Sequence, residues 1–153
     1  MITLTPMSKS TQDEYFRRTW EAYRDDIIKA GITLEQAEEN VKQTQESVLT
    51  NGILNSNQYI FDVNFNEIKI GILWLVHRVE IKEGNWYIYD IEIEEGERGK
   101  GLGKLTMLAA ENFVKSQRGD TLGLNVFGFN IAARKLYESL GYETLAIQMK
   151  KEI

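Results

Sequence analysis

A single α/β domain with a mixed sheet is predicted for the 153 residues, in the order β-α-α-β-β-β-α-β-α-β. Three observations predict it. Apolar residues recur at helical steps over Thr11–Ala30 and again after Thr33. Between Gln58 and Glu94, three runs alternate with the period of a strand. The glycine-rich stretch Arg98–Lys104 then joins the last of these runs to a further helical segment, giving a strand–loop–helix unit.

Each element follows from local chemistry. Met1–Thr5 alternates apolar and polar residues, and Pro6, the only proline, ends this opening strand. Phe16, Trp20, Tyr23 and Ile27 share one face of the first helix, which Gly31 stops. Thr33 caps the second helix, with Gln36 completing a capping box, and Leu34, Ala37, Val41 and Val48 form its apolar stripe. Asn51-Gly52 marks a turn. Gln58–Phe65 and Lys69–Val79 form a hairpin about Asn66-Glu67, and Trp86–Glu94 follows the Gly84-Asn85 turn as a third long strand. Leu105, Leu108, Ala109 and Phe113 give the next helix its stripe, up to about Gln117. Thr121–Phe127 reads as a buried strand, Asn130 caps a helix over Ile131–Leu140, and Tyr142–Lys150 reads as a final strand.

Composition removes several classes of chemistry. Without cysteine there is no disulfide frame, thiolate metal site or cysteine nucleophile. His77, the single histidine, leaves no multi-histidine metal site, and no metal is expected. No G-x-S-x-G elbow accompanies it. A net charge of -5 gives no basic surplus for displacing counterions, so no nucleic-acid partner is expected. No apolar run reaches membrane-spanning length and the N-terminus lacks signal-peptide zones, so a cytoplasmic location is the default.

Glycines before a helix present backbone N–H groups to a phosphate. The loop fails the phosphate-loop pattern G-x-x-x-x-G-K-[ST]: from Gly96 the second glycine, Gly101, is followed by Leu102. It also fails the dinucleotide pattern, because the third glycine would fall at Lys104. The spacing that fits is Arg98-x-x-Gly101-x-Gly103. This resembles the Q/R-x-x-G-x-G/A segment of the GNAT superfamily of acetyl-CoA-dependent N-acetyltransferases. Leu124-Asn125-Val126-Phe127, Asn130, Ala133, Leu136-Tyr137 and Leu140-Gly141-Tyr142 resemble the family's second segment at matching spacing. The resemblance is close from Trp86 onward and carries little identity before it.

The resemblance implies the acyl-CoA N-acyltransferase fold over residues 1–153, with two parallel strands splaying apart around acetyl-CoA as cosubstrate. It implies that backbone N–H groups of Arg98, Gly99, Lys100, Gly101, Leu102, Gly103 and Lys104 hold the pyrophosphate, and that the pantetheine arm pairs with the strand near Ile91 and Ile93. It gives Asn130 a contact to the cofactor arm, compatible with its cap role, and gives Tyr137 the place of the general acid. Asp90 and Glu92 alternate with Ile91 and Ile93, share one strand face, and are the candidate general bases; Glu80 and His77 are further candidates. With no cysteine for an acetyl-cysteine intermediate, the resemblance implies direct transfer in a ternary complex to a primary amine, small molecule or protein. The alternative is a catalytically silent CoA-binding or protein-interaction domain on the same fold. The acceptor is open: acidic residues near the gap hint at a cationic amine. Dimers are frequent in the family, which leaves a homodimer open.

Overall fold

The computed structural model describes residues 1–153. The chain divides into two compact units, Met1–Gly123 and Leu124–Ile153.

The first unit opens with β1 (Ile2–Pro6), α1 (Lys9–Lys29) and α2 (Leu34–Val48). Ser8 and Thr33 cap the two helices, accepting from the backbone N–H of Thr11 and Gln36. A small hairpin, β2 (Leu49–Thr50) and β3 (Ile53–Leu54), turns about Asn51-Gly52. The long strands are β4 (Gln58–Phe65), β5 (Ile68–His77) and β6 (Asn85–Ile93). A 3-10 turn (Glu95–Glu97) leads to α3 (Leu102–Ser116), and β7 (Thr121–Leu124) follows.

The main sheet has the order β1-β4-β5-β6-β7, with parallel and antiparallel neighbours. The first four strands are antiparallel in register pairs such as Val63↔Gly71 and Gly71↔Ile93. The β6–α3–β7 connection is the helical crossover that parallel neighbours need. The predicted mixed α/β class and its sheet are therefore present.

The sheet buries both faces. On one, Tyr15, Phe16 and Val48 from the helices pack with Ile60, Trp74 and Val76 of the strands. The indole Nε1–H of Trp74 donates to buried Gln58 at 2.8 Å, satisfying both polar groups. On the other, Phe113 of α3 meets the rings of Tyr59, Phe61 and Trp86. The buried face of α3 is Leu102, Thr106, Met107, Ala110 and Val114, whereas Leu105 and Leu108 are exposed. The predicted stripe is thus rotated. The sequence Leu102–Ala110 is apolar around much of the helix, and Thr106 enters the core because its hydroxyl donates to the Leu102 carbonyl at 2.8 Å.

The second unit contains α4 (Ile131–Ser139), capped by Asn130. β7 stops at Leu124, short of the predicted Phe127, where the chain turns toward α4 through Asn130 N–H to Phe127 O at 3.0 Å. The predicted terminal strand is not formed, and residues 142–153 carry no regular secondary structure. Alternating Leu145, Ile147 and Met149 supply a strand-like pattern, but alternation without a ladder partner does not hold a strand. No helix is long and apolar enough to cross a membrane.

Candidate active site

β6 carries a bulge that decides where its carboxylates go. Trp74 pairs with Asp90, but the next residue, Leu75, pairs with Ile88, so Tyr89 is the extra residue. Before the bulge, Trp86 and Ile88 face α3. A regular strand would put Asp90 and Glu92 on that same buried face. The extra residue shifts the phase, and both carboxylates turn to the face covered by α1. There the Tyr15 hydroxyl donates to Asp90 Oδ2 at 2.5 Å. Arg18, one turn later on α1, donates from Nη1 and Nη2 to the two oxygens of Glu92 at 3.1 and 2.9 Å. The predicted sharing of one face is present. Tyr15 and Arg18 are not among the site residues that the sequence predicts.

Burial raises Asp90 above the ordinary carboxylate range and Glu92 adds to this, while the Tyr15 hydrogen bond and Arg18 oppose it. Burial and the Asp90 charge push the Tyr15 phenol far upward, so it remains a donor. Trp74 and Tyr89 stand beside this pair, with Trp74 edge-on to Tyr15 at 6.0 Å and to Tyr89 at 5.3 Å. His77 is stacked on Trp86 at 4.5 Å and its Nε2 lies 2.6 Å from the Glu83 carbonyl. It is thus a packed residue of the strand end. Glu80 lies in the exposed turn after β5.

The C-terminal half of β6 has one edge beyond the reach of β7. The N–H of Thr121 donates to Gly84 O at 3.2 Å, and a Cβ on Gly123 would lie 3.2 Å from the Tyr87 ring. A four-residue strand set in this register runs beside the start of β6 and ends before Asp90–Ile93. Ile91 and Ile93 pair with Leu73 and Gly71 on the β5 side.

The glycine loop follows at once. Gly99 and Gly101 have φ of 75° and 76°, and a Cβ on either would meet nothing within 4 Å. Glycine is therefore selected here by backbone conformation, not by crowding. Gly101 is the N-cap of α3 and offers no side chain to close it. A helix leaves its first N–H groups without intrahelical partners, so Leu102, Gly103 and Lys104 present theirs at the positive end of the helix dipole. The Arg98 Nε donates to the Ile93 carbonyl at 2.8 Å and Lys100 pairs with Glu97 at 3.1 Å. Arg98 is thereby engaged with the end of β6 and Lys100 with the 3-10 turn, and Lys104 is exposed.

In the second unit, Asn130 Oδ1 accepts from the Ala133 N–H at 3.3 Å, as a cap does. Tyr137 lies partly buried on α4, with its ring 6.1 Å from that of Tyr142.

The model of the acetyltransferase (GNAT) family matches residues 11–142. An uncharacterized N-acetyltransferase of Bacillus subtilis (strain 168), YycN, is 32% identical over 154 residues, covering 99% of each chain. The crystal structure of YycN superposes with a TM-score of 0.84, covering 100% of this chain and 99% of the other. A second Bacillus subtilis uncharacterized N-acetyltransferase, YdgE, is 28% identical over 99% of this chain and 98% of its own. With a family model matching residues 11–142 and a relative 32% identical over 99% of each chain, the chain belongs to the acetyltransferase (GNAT) family.

Proposed function

We propose that residues 1–153 form one N-acetyltransferase domain that moves the acetyl group of acetyl-CoA directly to a primary amine. The observation that carries this is the backbone-lined turn at Gly99 and Gly101, opening onto the uncapped start of α3. It suits a pyrophosphate, because the groups on offer are N–H donors and a helix dipole. The engaged state of Arg98 and Lys100 favours backbone over side-chain contact. The edge beside Asp90–Ile93, which β7 does not reach and where Arg98 occupies only the Ile93 carbonyl, supports pairing of an extended amide-bearing arm with β6.

Acetyl-CoA supplies the thioester; the protein positions it and moves protons. An alkylamine has a pKa of about 10.4, so presenting it neutral at pH 7 costs roughly 4–5 kcal/mol. Asp90, with its affinity for a proton raised by burial, takes the amine proton directly or through water. Glu92 is the weaker candidate because Arg18 holds both its oxygens. The nitrogen forms a bond to the acetyl carbon, the carbon–sulfur bond breaks, and Tyr137 gives the departing thiolate its proton. Asn130 completes the cofactor contacts through its amide. The absence of cysteine removes an acetyl-cysteine intermediate and supports transfer in a ternary complex.

Thermal unfolding with acetyl-CoA against ATP tests the ligand. Acetyl-CoA should raise the midpoint by mass action and ATP should not. Thiol release across a panel of amines then tests transfer; stabilisation without release would leave a CoA-binding domain.

A further inference from the structure

We infer that the acceptor is a primary monoamine, and that Arg18 and Arg78 exclude amines carrying a second positive charge. The inference rests on the proposed acetyl transfer and deepens it.

β6 turns Asp90 and Glu92 toward α1. Asp90 is the carboxylate whose partner is a neutral phenol, the Tyr15 hydroxyl at 2.5 Å. Glu92, two residues on, is already held by Arg18 through both oxygens, at 3.1 and 2.9 Å. In the other direction lie Tyr89 and Tyr87. The Arg78 guanidinium stacks over Tyr87 at 3.8 Å and also approaches Tyr89, at 5.6 Å. A guanidinium therefore stands on each side of Asp90 along the strand, and each carboxylate is matched in number by a fixed positive charge.

Consecutive same-face residues of a strand are about 6.5–7 Å apart. An amine whose nitrogen sits at Asp90 and whose chain runs along β6 brings a second ammonium close to Arg18 or to Arg78. Like charges at that range oppose binding, and of the two carboxylates that β6 turns to this face, Asp90 takes the first nitrogen and Glu92 is already held by Arg18. An apolar continuation meets the exposed ring of Tyr89, which is 43% accessible, and incurs no such repulsion. The acidic residues of β6 thus do not make a polycation site. The selectivity is built by residues of α1 and of the turn after β5.

The test compares n-pentylamine with cadaverine, which differ only in the terminal ammonium, as acceptors for the full chain with acetyl-CoA. Wild type should favour n-pentylamine in kcat/KM by about tenfold. Arg18→Gln and Arg78→Gln should each reduce that ratio. Glu92→Gln, which leaves Arg18 unpaired, should enlarge it. The ratio is internal to one preparation, so a partly unfolded variant does not mimic the result. Transfer with a ratio near one, or a ratio unmoved by all three substitutions, overturns the selectivity alone. Absence of thiol release with every amine tried overturns the acetyl-transfer reading and the selectivity with it.

Discussion

The Tyr15 hydroxyl lies 2.5 Å from Asp90 Oδ2 and ties the first helix to the bulged strand. Tyr15 is only 3% accessible, so the donor side of the bond is shielded from solvent and the phenol is fixed by its contacts with Phe16 and Trp74. The carboxylate is presented on one oxygen by a rigid donor. Tyr15→Phe keeps the ring and removes the donor. A hydrogen bond to a charged group contributes about 1.5–3 kcal/mol, and urea unfolding should show a loss in that range. The acidic limb of kcat/KM should move to higher pH, because the bond that favours the ionised carboxylate is gone.

Asp90 also gives stability a pH dependence of determined sign. Its folded value lies above the unfolded one, about 3.9, through burial and the Glu92 charge, with Tyr15 and Arg18 of α1 opposing. The protonated form is favoured by folding. Its contribution is complete below about pH 4 and is lost as pH rises through the folded value. Asp90→Asn mimics the protonated form and still accepts from Tyr15. Urea titrations across that range should show the variant gaining stability relative to wild type as pH rises. A difference that is constant with pH would refute the raised value.

Gly71 holds β5 and β6 together where Glu92 is displayed. A Cβ at Gly71 would lie 2.0 Å from the Glu92 carbonyl oxygen and 3.3 Å from the Ile93 Cα. Both neighbours are backbone, so no side-chain rotation relieves the contact. Gly71→Ala should cost about 2–4 kcal/mol, read from the shift in chemical unfolding midpoint. It should also weaken the Arg18–Glu92 pairing more than a core substitution of equal cost placed in α2, which the cadaverine ratio would report.

Periodicity made most of this fold legible. The stripe of Phe16 and Trp20, the alternation of β4 to β6 and the caps at Thr33 and Asn130 are local signals, and each stands where its residues predict. The joint position of Asp90 and Glu92 on one face was legible too. Which face was not, because it depends on a one-residue bulge at Tyr89 that no local pattern marks. The role of Tyr15 and Arg18 is not legible locally for a related reason. They flank the apolar stripe at i, i+3, and their meaning lies in two carboxylates more than seventy residues away. A polar-tipped pair at that spacing beside a helix stripe, matched to acids at i, i+2 of a strand, is the signal that would have found them. Residues 142–150 failed in the opposite direction, since their alternation suggests a strand that only a partner could stabilise.

The two left-handed glycines of the loop separate conformation from crowding. At Gly99 and Gly101 an added methyl has free space, but φ near 75° costs an L-residue roughly 1–2 kcal/mol. Gly101→Ala should therefore lower stability by about that amount. If the turn relaxes instead, the N–H groups it aims are redirected and the midpoint increase caused by acetyl-CoA should shrink. Full retention of both stability and that increase would show that the loop conformation is dispensable.

Tyr137, the proposed general acid, also closes α4. Gly141, at φ 94°, lets the Tyr142 N–H donate to the Tyr137 carbonyl at 3.0 Å and its own N–H donate to the Glu138 carbonyl at 3.0 Å. This double closure brings the residues three before and two after the helix end into contact, which is where the Tyr137 and Tyr142 rings meet at 6.1 Å. Tyr137→Phe retains the ring and so the closure, and removes only the phenol. Turnover should fall by about a hundredfold or more, the usual contribution of a positioned acid, with acetyl-CoA stabilisation unchanged. Tyr142→Ala should do the reverse, loosening the helix end and lowering stability while leaving the acid in place. Equal losses of turnover and acetyl-CoA affinity in Tyr137→Phe would assign the residue to binding instead of proton transfer.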